Sequence, residues 1–533
     1  MNISIDKKFF LLLSICFLIY FQGILNLPVL DRDEARFATA SKTMLLNKDF
    51  IDIKMVDEDR YKKPIGIYWS QSITNFILGD PPYDKIWIYR LPSFFGIFLC
   101  FIFIFFSLKR FETPATSFLT IFFLAFSILT ISEIHQAKTD GLLFLFISIC
   151  NLIIYDVVNK KKNNHVYLFW ICLSVGILIK GPIIIIFTFF PLLVFSICKK
   201  KSFFSYFWSL KAFVVFLIIV IPWFVLISLK SEGTFWDESV GNDLFNKVKS
   251  GQESHGFPPG YYSILVFLFF WPGSIFLLNT VKNIKLNFKS ILKNDDYTLY
   301  LIISFILPFI FFEIIPTKLP HYVFPAYLPL SILISRRITE VNFEKDLLNF
   351  AIIPMIIFPL SIIGIITFAV LEYSLIDNLL IFNILLLSLI FFSLIWFICK
   401  RKVKSLIYTS GLFQITTILI AVFFLTPRLE KLWISEKINN IIEKNRDFVD
   451  RTFTFGFNEP SLLFLTSHKV KNNNLDDFTV ENIKNKKVMF IVTEAFSKNI
   501  EEMKDYNSFS IVEEFTGFNY SKGKEIRFKV YKN

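Results

Sequence analysis

Apolar segments, each about as long as one bilayer crossing, recur along this chain as far as residue 426. A hydrocarbon core about 30 Å thick needs roughly 20 apolar residues in a helix. On that measure about thirteen spans are expected, near 9–28, 88–108, 115–133, 141–158, 166–180, 182–198, 212–229, 261–280, 298–315, 321–335, 350–371, 378–399 and 406–426. Only 19% of the residues are charged, where soluble domains hold about 25%, so the expected class is an all-α polytopic membrane domain. The first run, 9–27, follows Lys7 and Lys8 but has no small-residue cleavage pattern before Asp31, so it reads as a retained helix and not as a signal peptide.

The formal net charge of +12 could suggest a nucleic-acid partner, but its placement argues against one. Basic residues sit in short clusters between apolar runs: Lys7/Lys8, Lys109/Arg110, Lys160–Lys162, Lys199–Lys201, Lys282/Lys285/Lys289/Lys293, Arg336/Arg337 and Lys400/Arg401/Lys402/Lys404. With the N-terminus cytoplasmic, each cluster falls on the inner side, which is the positive-inside arrangement. The other side receives the mixed or acidic loops 30–85, 133–140, 230–260, 313–320 and 372–377. An odd number of spans then puts the C-terminal part outside too. The six cysteines lie in or beside apolar runs without metal-ligand spacing, as small buried side chains do.

Two domains are expected: a transmembrane domain over 1–426 that includes the outside loop 30–85, and a small outside domain over 427–533. In the second, strand-like runs at 451–457, 487–493, 509–516 and 525–531 alternate with helix-like runs at 459–466 and 496–503. The pattern predicts an α/β module.

Residues able to carry chemistry gather on the outside. After the first span come Asp31, Arg32, Asp33, Glu34 and Arg36, then "EARFATASKTMLL", whose apolar face (Phe37, Met44, Leu45) suits a helix on the membrane surface. Asp33 and Glu34 could simply cap that helix, although capping accounts for one acid better than for three acids and two arginines. Lys62 and Lys63 in "YKKPIGIYW" suit either headgroup anchors or ligands of a lipid phosphate. Asp140 opens the fourth span in "HQAKTDGLLFLF", where it is either an N-cap or a functional acid. Lys180 precedes Gly181-Pro182, His255 lies in the long loop, and Lys318, His321 and Tyr322 surround Pro320. Polar groups from several elements converging on one face are the signature of a site.

In this order, "DRDEARFATASKTML", "KKPIGIYW", "KTDGLLFLF", "LIKGPIIII", "HGFPPGYY" and "TKLPHYVFPAYLPL" resemble the lipid-linked-sugar glycosyltransferases of the GT-C fold. More narrowly, they resemble the bacterial aminoarabinose transferase and protein mannosyltransferase superfamily. "GFNEPSLLFLTSHKV" resembles the start of the outside domain of aminoarabinose-transferase-like members. The resemblance implies a multi-pass protein of the bacterial inner membrane and a polyprenyl-phosphate sugar donor. It further implies transfer with inversion on the periplasmic face, to a lipid A-type lipid or, alternatively, a protein hydroxyl.

Carried over residue by residue, the resemblance makes Asp33 and Asp140 the catalytic acids and Arg36, Lys63 and Tyr322 phosphate-binding residues, a set that Lys62 joins by its charge. Glu34, Lys180, His255, Lys318 and His321 are further candidates. The chain departs from the pattern at Lys62, where aminoarabinose transferases carry an acid linked to a bound divalent metal, which leaves a divalent metal cofactor open and its ligands unassigned. A flippase of lipid-linked sugars would share the spans and the lysines. It should, however, place ionisable residues near the bilayer midplane, whereas here the charges stop at helix ends.

Overall fold

The computed structural model describes residues 4–159, 165–249, 256–340, 343, 347, 352–466, 470–471, 487–501 and 509–533. The protein is a polytopic helical bundle with a small sheet domain packed on one end. The first helix α1 (Ile5–Asn26) is followed by α2 (Asp33–Asn47), a two-stranded hairpin β1 (Lys54–Met55) and β2 (Glu58–Asp59), and α3 (Gly66–Leu78). Then come α4 (Ile86–Leu108), α5 (Pro114–Phe126), α6 (Ile128–Ile134), α7 (Thr139–Val158), α8 (Val166–Lys180), α9 (Ile183–Phe187), α10 (Phe189–Cys198) and α11 (Leu210–Lys230). The second half of the bundle holds α12 (Tyr261–Phe269), α13 (Leu277–Asn294), α14 (Asp296–Ile314), α15 (Tyr327–Thr339), α16 (Ile352–Glu372), α17 (Asn378–Cys399) and α18 (Val403–Leu419).

Among the described residues, eight helices are long and apolar enough to cross a membrane, or up to ten if two bent pairs each count as one span. Two further apolar segments, Val166–Lys180 and Ile183–Cys198, are shorter than that length, and breaks within apolar runs lower a count made on helix length alone. Ser127 caps α6 with its hydroxyl at the 64° break in the third apolar run. Gly181, at φ 68°, turns the chain between α8 and α9 in a conformation a side chain would strain. The run near 321–335 divides into a 3₁₀ segment, Pro320–Ala326, and the 13-residue α15.

Burial separates inner from outer helices. α7 is buried over 89% of its apolar window and α11 over only 22%, so α7 lies at the centre and α11 faces lipid. Small residues allow α4 and α7 to approach closely: a Cβ on Gly141 would lie 2.9 Å from the Cβ of Ser93.

α2 does not rest on the membrane surface as its amphipathic pattern suggested. Phe37, Met44 and Leu45 are buried within the protein, and α2 packs against α3 on one side and the C-terminal domain on the other. Amphipathicity shows that a face is covered, not what covers it.

The C-terminal domain contains α19 (Ile434–Asn445), α20 (Pro460–Thr466), α21 (Glu494–Glu501) and a five-stranded sheet in the order β4-β3-β5-β7-β6. Its strands are β3 (Arg451–Phe455), β4 (Val470–Lys471), β5 (Val488–Thr493), β6 (Ser510–Asn519) and β7 (Lys524–Lys532). β3 pairs in parallel with β4 and β5, and β7 pairs antiparallel with β5 and β6. The central β5 is buried at all six positions, as a strand covered on both faces should be. The domain grips the start of α2: Asp31 accepts from the Ser461 N–H at 3.0 Å, and the Asp31 N–H donates to the Tyr520 hydroxyl at 2.8 Å. Lys42 donates to the Phe464 carbonyl at 2.7 Å.

Candidate functional site

A cavity of about 290 Å³ opens at the end of the bundle beside α2. Its mouth is polar, with Asp33, Asp140, Asp243 and His321 among the lining residues. Its depth is apolar, walled by Leu143, Ile183, Ile186, Phe187, Phe311 and Phe312 from three helices.

The first wall of the mouth is built by α2 and the hairpin loop. Asp33 and Arg36 lie one turn apart at the start of α2 and so share a face. The loop that follows α2 is pinned by its own hydrogen bonds. The Arg60 N–H donates to the Ile53 carbonyl at 2.8 Å, and the Tyr61 hydroxyl donates to Asp52 at 2.8 Å. This loop delivers Arg60, Lys62 and Lys63 to the cavity. Arg60 is buried over the Phe37 ring, and its Nε has no hydrogen-bond partner among the described residues. A buried guanidinium N–H without an acceptor is costly and is suited to an anionic ligand.

The second wall is the turn before α7, held from three directions. The Ala137 N–H donates to Glu34 at 2.9 Å, Gln71 donates to the Ala137 carbonyl at 3.1 Å, and Ser93 donates to the Lys138 carbonyl at 3.0 Å. Lys138 pairs with the buried Glu133 at 2.9 Å. Asp140 then accepts from Lys180 at 2.6 Å, with His321 Nε2 at 3.9 Å. The Lys180 ammonium also lies 5.5 Å from the centre of the Tyr322 ring.

The third wall is the helical segment of 237–249. Asp243 there forms ion pairs with Lys63 and, at 2.6 Å, with Lys247. Burial pushes Lys63 down to about 8, further than Asp243 pulls it back. Burial pushes the Asp33 carboxyl up, but His321, Lys138, Arg60 and Arg36 together outweigh it and hold Asp33 below its ordinary value. Asp33 is therefore a durable anion and a weak proton acceptor.

Of the residues singled out in the sequence, Asp33, Arg36, Lys62, Lys63, Asp140, Lys180, His321 and Tyr322 line this one cavity. Glu34 does not. One residue further along α2, it turns into the bundle and is held by Arg90, Nε to Oε1 and Nη2 to Oε2, each at 2.8 Å. Lys318 also turns away, donating to the carbonyls of Glu313 and Ile315 at the end of α14, a common task for a cation at a helix C-terminus. His255 lies outside the described residues.

Arg60, Lys138, Asp243 and Lys247 were not singled out from the sequence. Two signals were available: Lys138 stands two residues before Asp140, and Asp243 and Lys247 have the i,i+4 spacing of a helical ion pair. Among the described residues, no group of three His, Cys, Asp or Glu side chains converges as metal ligands would. Lys62 offers an ammonium, which cannot ligate a cation. The described residues do not fit a resident metal.

Residues 62–226 match the sequence profile described as dolichyl-phosphate-mannose-protein mannosyltransferase. Among curated proteins, the chain is 27% identical over 355 residues to the undecaprenyl phosphate-alpha-4-amino-4-deoxy-L-arabinose arabinosyl transferase of Wigglesworthia glossinidia brevipalpis, covering 64% of this chain and 61% of that protein. It is 25% identical over 337 residues to the protein of that description from Photorhabdus laumondii, covering 61% of this chain and 58% of the relative. The matched region thus spans about three fifths of the length of these relatives. The crystal structure of ArnT from Cupriavidus metallidurans bound to undecaprenyl phosphate superposes with a TM-score of 0.74 at 15% identity, over 99% of this chain and 98% of that one. In fold the chain is ArnT-like, with the GT-C arrangement of a helical membrane domain and a small extramembrane sheet domain.

Proposed function

We propose that the chain is a glycosyltransferase of the bacterial inner membrane. It takes a sugar from a polyprenyl-phosphate donor and transfers it, with inversion, to a phosphate-bearing lipid A-type acceptor on the periplasmic face. The observation that carries this reading is the union of a cationic mouth with an apolar wall in one cavity. A lipid phosphate needs both: ammonium and guanidinium groups for the head and a water-free surface for the chain. The likeness in sequence to aminoarabinose transferases and in fold to a structure holding undecaprenyl phosphate supports that donor class.

The charges suit the reaction. Transfer breaks the bond between the anomeric carbon and the donor phosphate oxygen and forms one to an acceptor oxygen. The phosphate leaves as a monoester and gains a negative charge, so cations held close to it stabilise the transition state more than the ground state. Lys63, Lys62, Arg36 and Arg60 would receive that charge. Asp33 and Asp140 would face the positive charge that develops at the anomeric carbon as the bond lengthens.

Two features favour a phosphate acceptor over a hydroxyl. Seven cationic side chains line the cavity against three carboxylates, a surplus larger than one donor phosphate requires. Asp33, held below its ordinary pKa, is a poor general base, and a phosphate acceptor has no proton to lose. A serine or threonine hydroxyl is the second reading, favoured by the match of residues 62–226 to the protein mannosyltransferase profile.

The test is transfer by reconstituted protein from radiolabelled polyprenyl-phosphate sugars to three acceptors: a phosphorylated lipid A-type lipid, its dephosphorylated form and a serine/threonine peptide. Label on the phosphorylated lipid alone supports the proposal. Label on the peptide gives the second reading. Movement of donor across the bilayer without transfer refutes both.

A further inference from the structure

α13 contributes nothing to the cavity. It leaves the preceding helix at 115° and ends where the membrane-spanning α14 begins. α14 reaches the cavity only at its far end, with Phe311 and Phe312, so α13 lies at the opposite end of the bundle from the candidate site.

The sequence of α13, "LLNTVKNIKLNFKSILKN", contains four lysines and no acid. Lys282, Lys285, Lys289 and Lys293 are spaced by three, four and four residues, which places them on one stripe of the helix. All four are exposed. The acids just beyond the helix are otherwise engaged, Asp295 accepting from Thr298 and Asp296 pairing with Lys199. Like charges stacked at this spacing destabilise a helix unless something outside it neutralises them.

Beside the lysine stripe runs an apolar one. Val281, Phe288 and Leu292 are 51%, 44% and 43% exposed, although Leu277, Thr280 and Ile291 on the next face are buried against the bundle. A helix this cationic cannot enter the hydrocarbon. An apolar stripe bordered by lysines fits a helix lying in the interface, with its rings and branched chains at the acyl boundary and its ammonium groups among the headgroups.

We propose that α13 is an in-plane docking helix for anionic phospholipid, with its lysine stripe on the headgroup phosphates of the membrane face opposite the cavity. The partner is a lipid because the charge complement and the apolar complement occur side by side; a soluble polyanion would leave Val281, Phe288 and Leu292 uncovered. The inference is independent of the transfer reaction and stands or falls without it.

Native mass spectrometry of the purified full chain with equal amounts of phosphatidylglycerol and phosphatidylcholine provides the test. Wild type should retain phosphatidylglycerol in preference. The variant Lys282→Gln/Lys285→Gln/Lys289→Gln/Lys293→Gln should lose that preference by about tenfold or more, and the corresponding four-arginine variant should keep it. Unchanged preference in the glutamine variant, or an equal loss in Lys400→Gln/Lys402→Gln/Lys404→Gln, overturns the site. A headgroup-photoactivatable phosphatidylglycerol on wild type should label the peptide 277–294, and absence of label there overturns it without any variant. RNA binding that the glutamine variant loses, with no lipid preference in wild type, would replace the lipid with a soluble polyanion.

Discussion

Lys63 and Asp243 pair across the mouth of the cavity, so the carboxylate of one wall rests on the ammonium that a donor phosphate would need. Donor and Asp243 then compete for one cation. Asp243→Asn should bind a polyprenyl phosphate more tightly, by about fivefold or ~1 kcal/mol, measured by equilibrium titration in detergent. Weaker binding would instead make Asp243 the group that holds Lys63 in position.

Lys63 also sets a pH dependence. In the free protein it loses its proton near pH 8, while a bound phosphate favours the ammonium, so binding above that pH takes up a proton. Donor affinity should be level below pH 8 and fall above it, approaching about tenfold per pH unit. Lys63→Arg, which stays charged, should remove the alkaline fall; a fall that persists would assign it to another group.

Asp33 and Asp140 face the same cavity from different helices. Asp33→Asn and Asp140→Asn should each lower kcat by about 10²–10⁴-fold with the melting temperature unchanged. Because Asp33 is held below its ordinary pKa, any acid limb of activity from this group should lie below that of a free aspartate. Full turnover by either variant would move the chemistry elsewhere.

Glu34, one residue away from Asp33, should behave in the opposite way. Arg90 is fully buried, and beyond its two bonds to Glu34 it donates to the carbonyls of Ile24, Leu27 and Pro28 that close α1. Removing one partner of a buried pair costs about 3–5 kcal/mol. Glu34→Gln should therefore lower the thermal midpoint markedly, and any surviving activity should scale with the folded fraction. Loss of activity at an unchanged midpoint would return Glu34 to the chemistry.

The contrast between Asp33 and Glu34 shows what was legible in the sequence. The spacing of Asp33 and Arg36 puts them on one helical face, and both line the cavity. Adjacent residues on a helix point about 100° apart, so Glu34 could not share that role. The clue was Arg90, a charge inside an apolar run, which demands a buried partner. Asp243 and Lys247 escaped notice because their meaning depends on Lys63, 180 residues away in the sequence. The spans were readable as apolar runs, but where a run bends, as at Ser127, depends on a hydroxyl capping one turn, a local event beneath a count of hydrophobic residues.

The clasp between the C-terminal domain and α2 has a consequence for the timing of assembly. Asp31 and Tyr520 are 489 residues apart, and at about 5–20 residues per second of synthesis the first is made roughly half a minute or more before its partner exists. The wall that carries Asp33 and Arg36 must wait that long, already threaded through the membrane, for the contacts that hold its outer side. A chain cut short before residue 520 would insert its helices yet lack the Tyr520 contact on that wall. The outer side of the cavity wall is therefore completed only when the last part of the chain has been made.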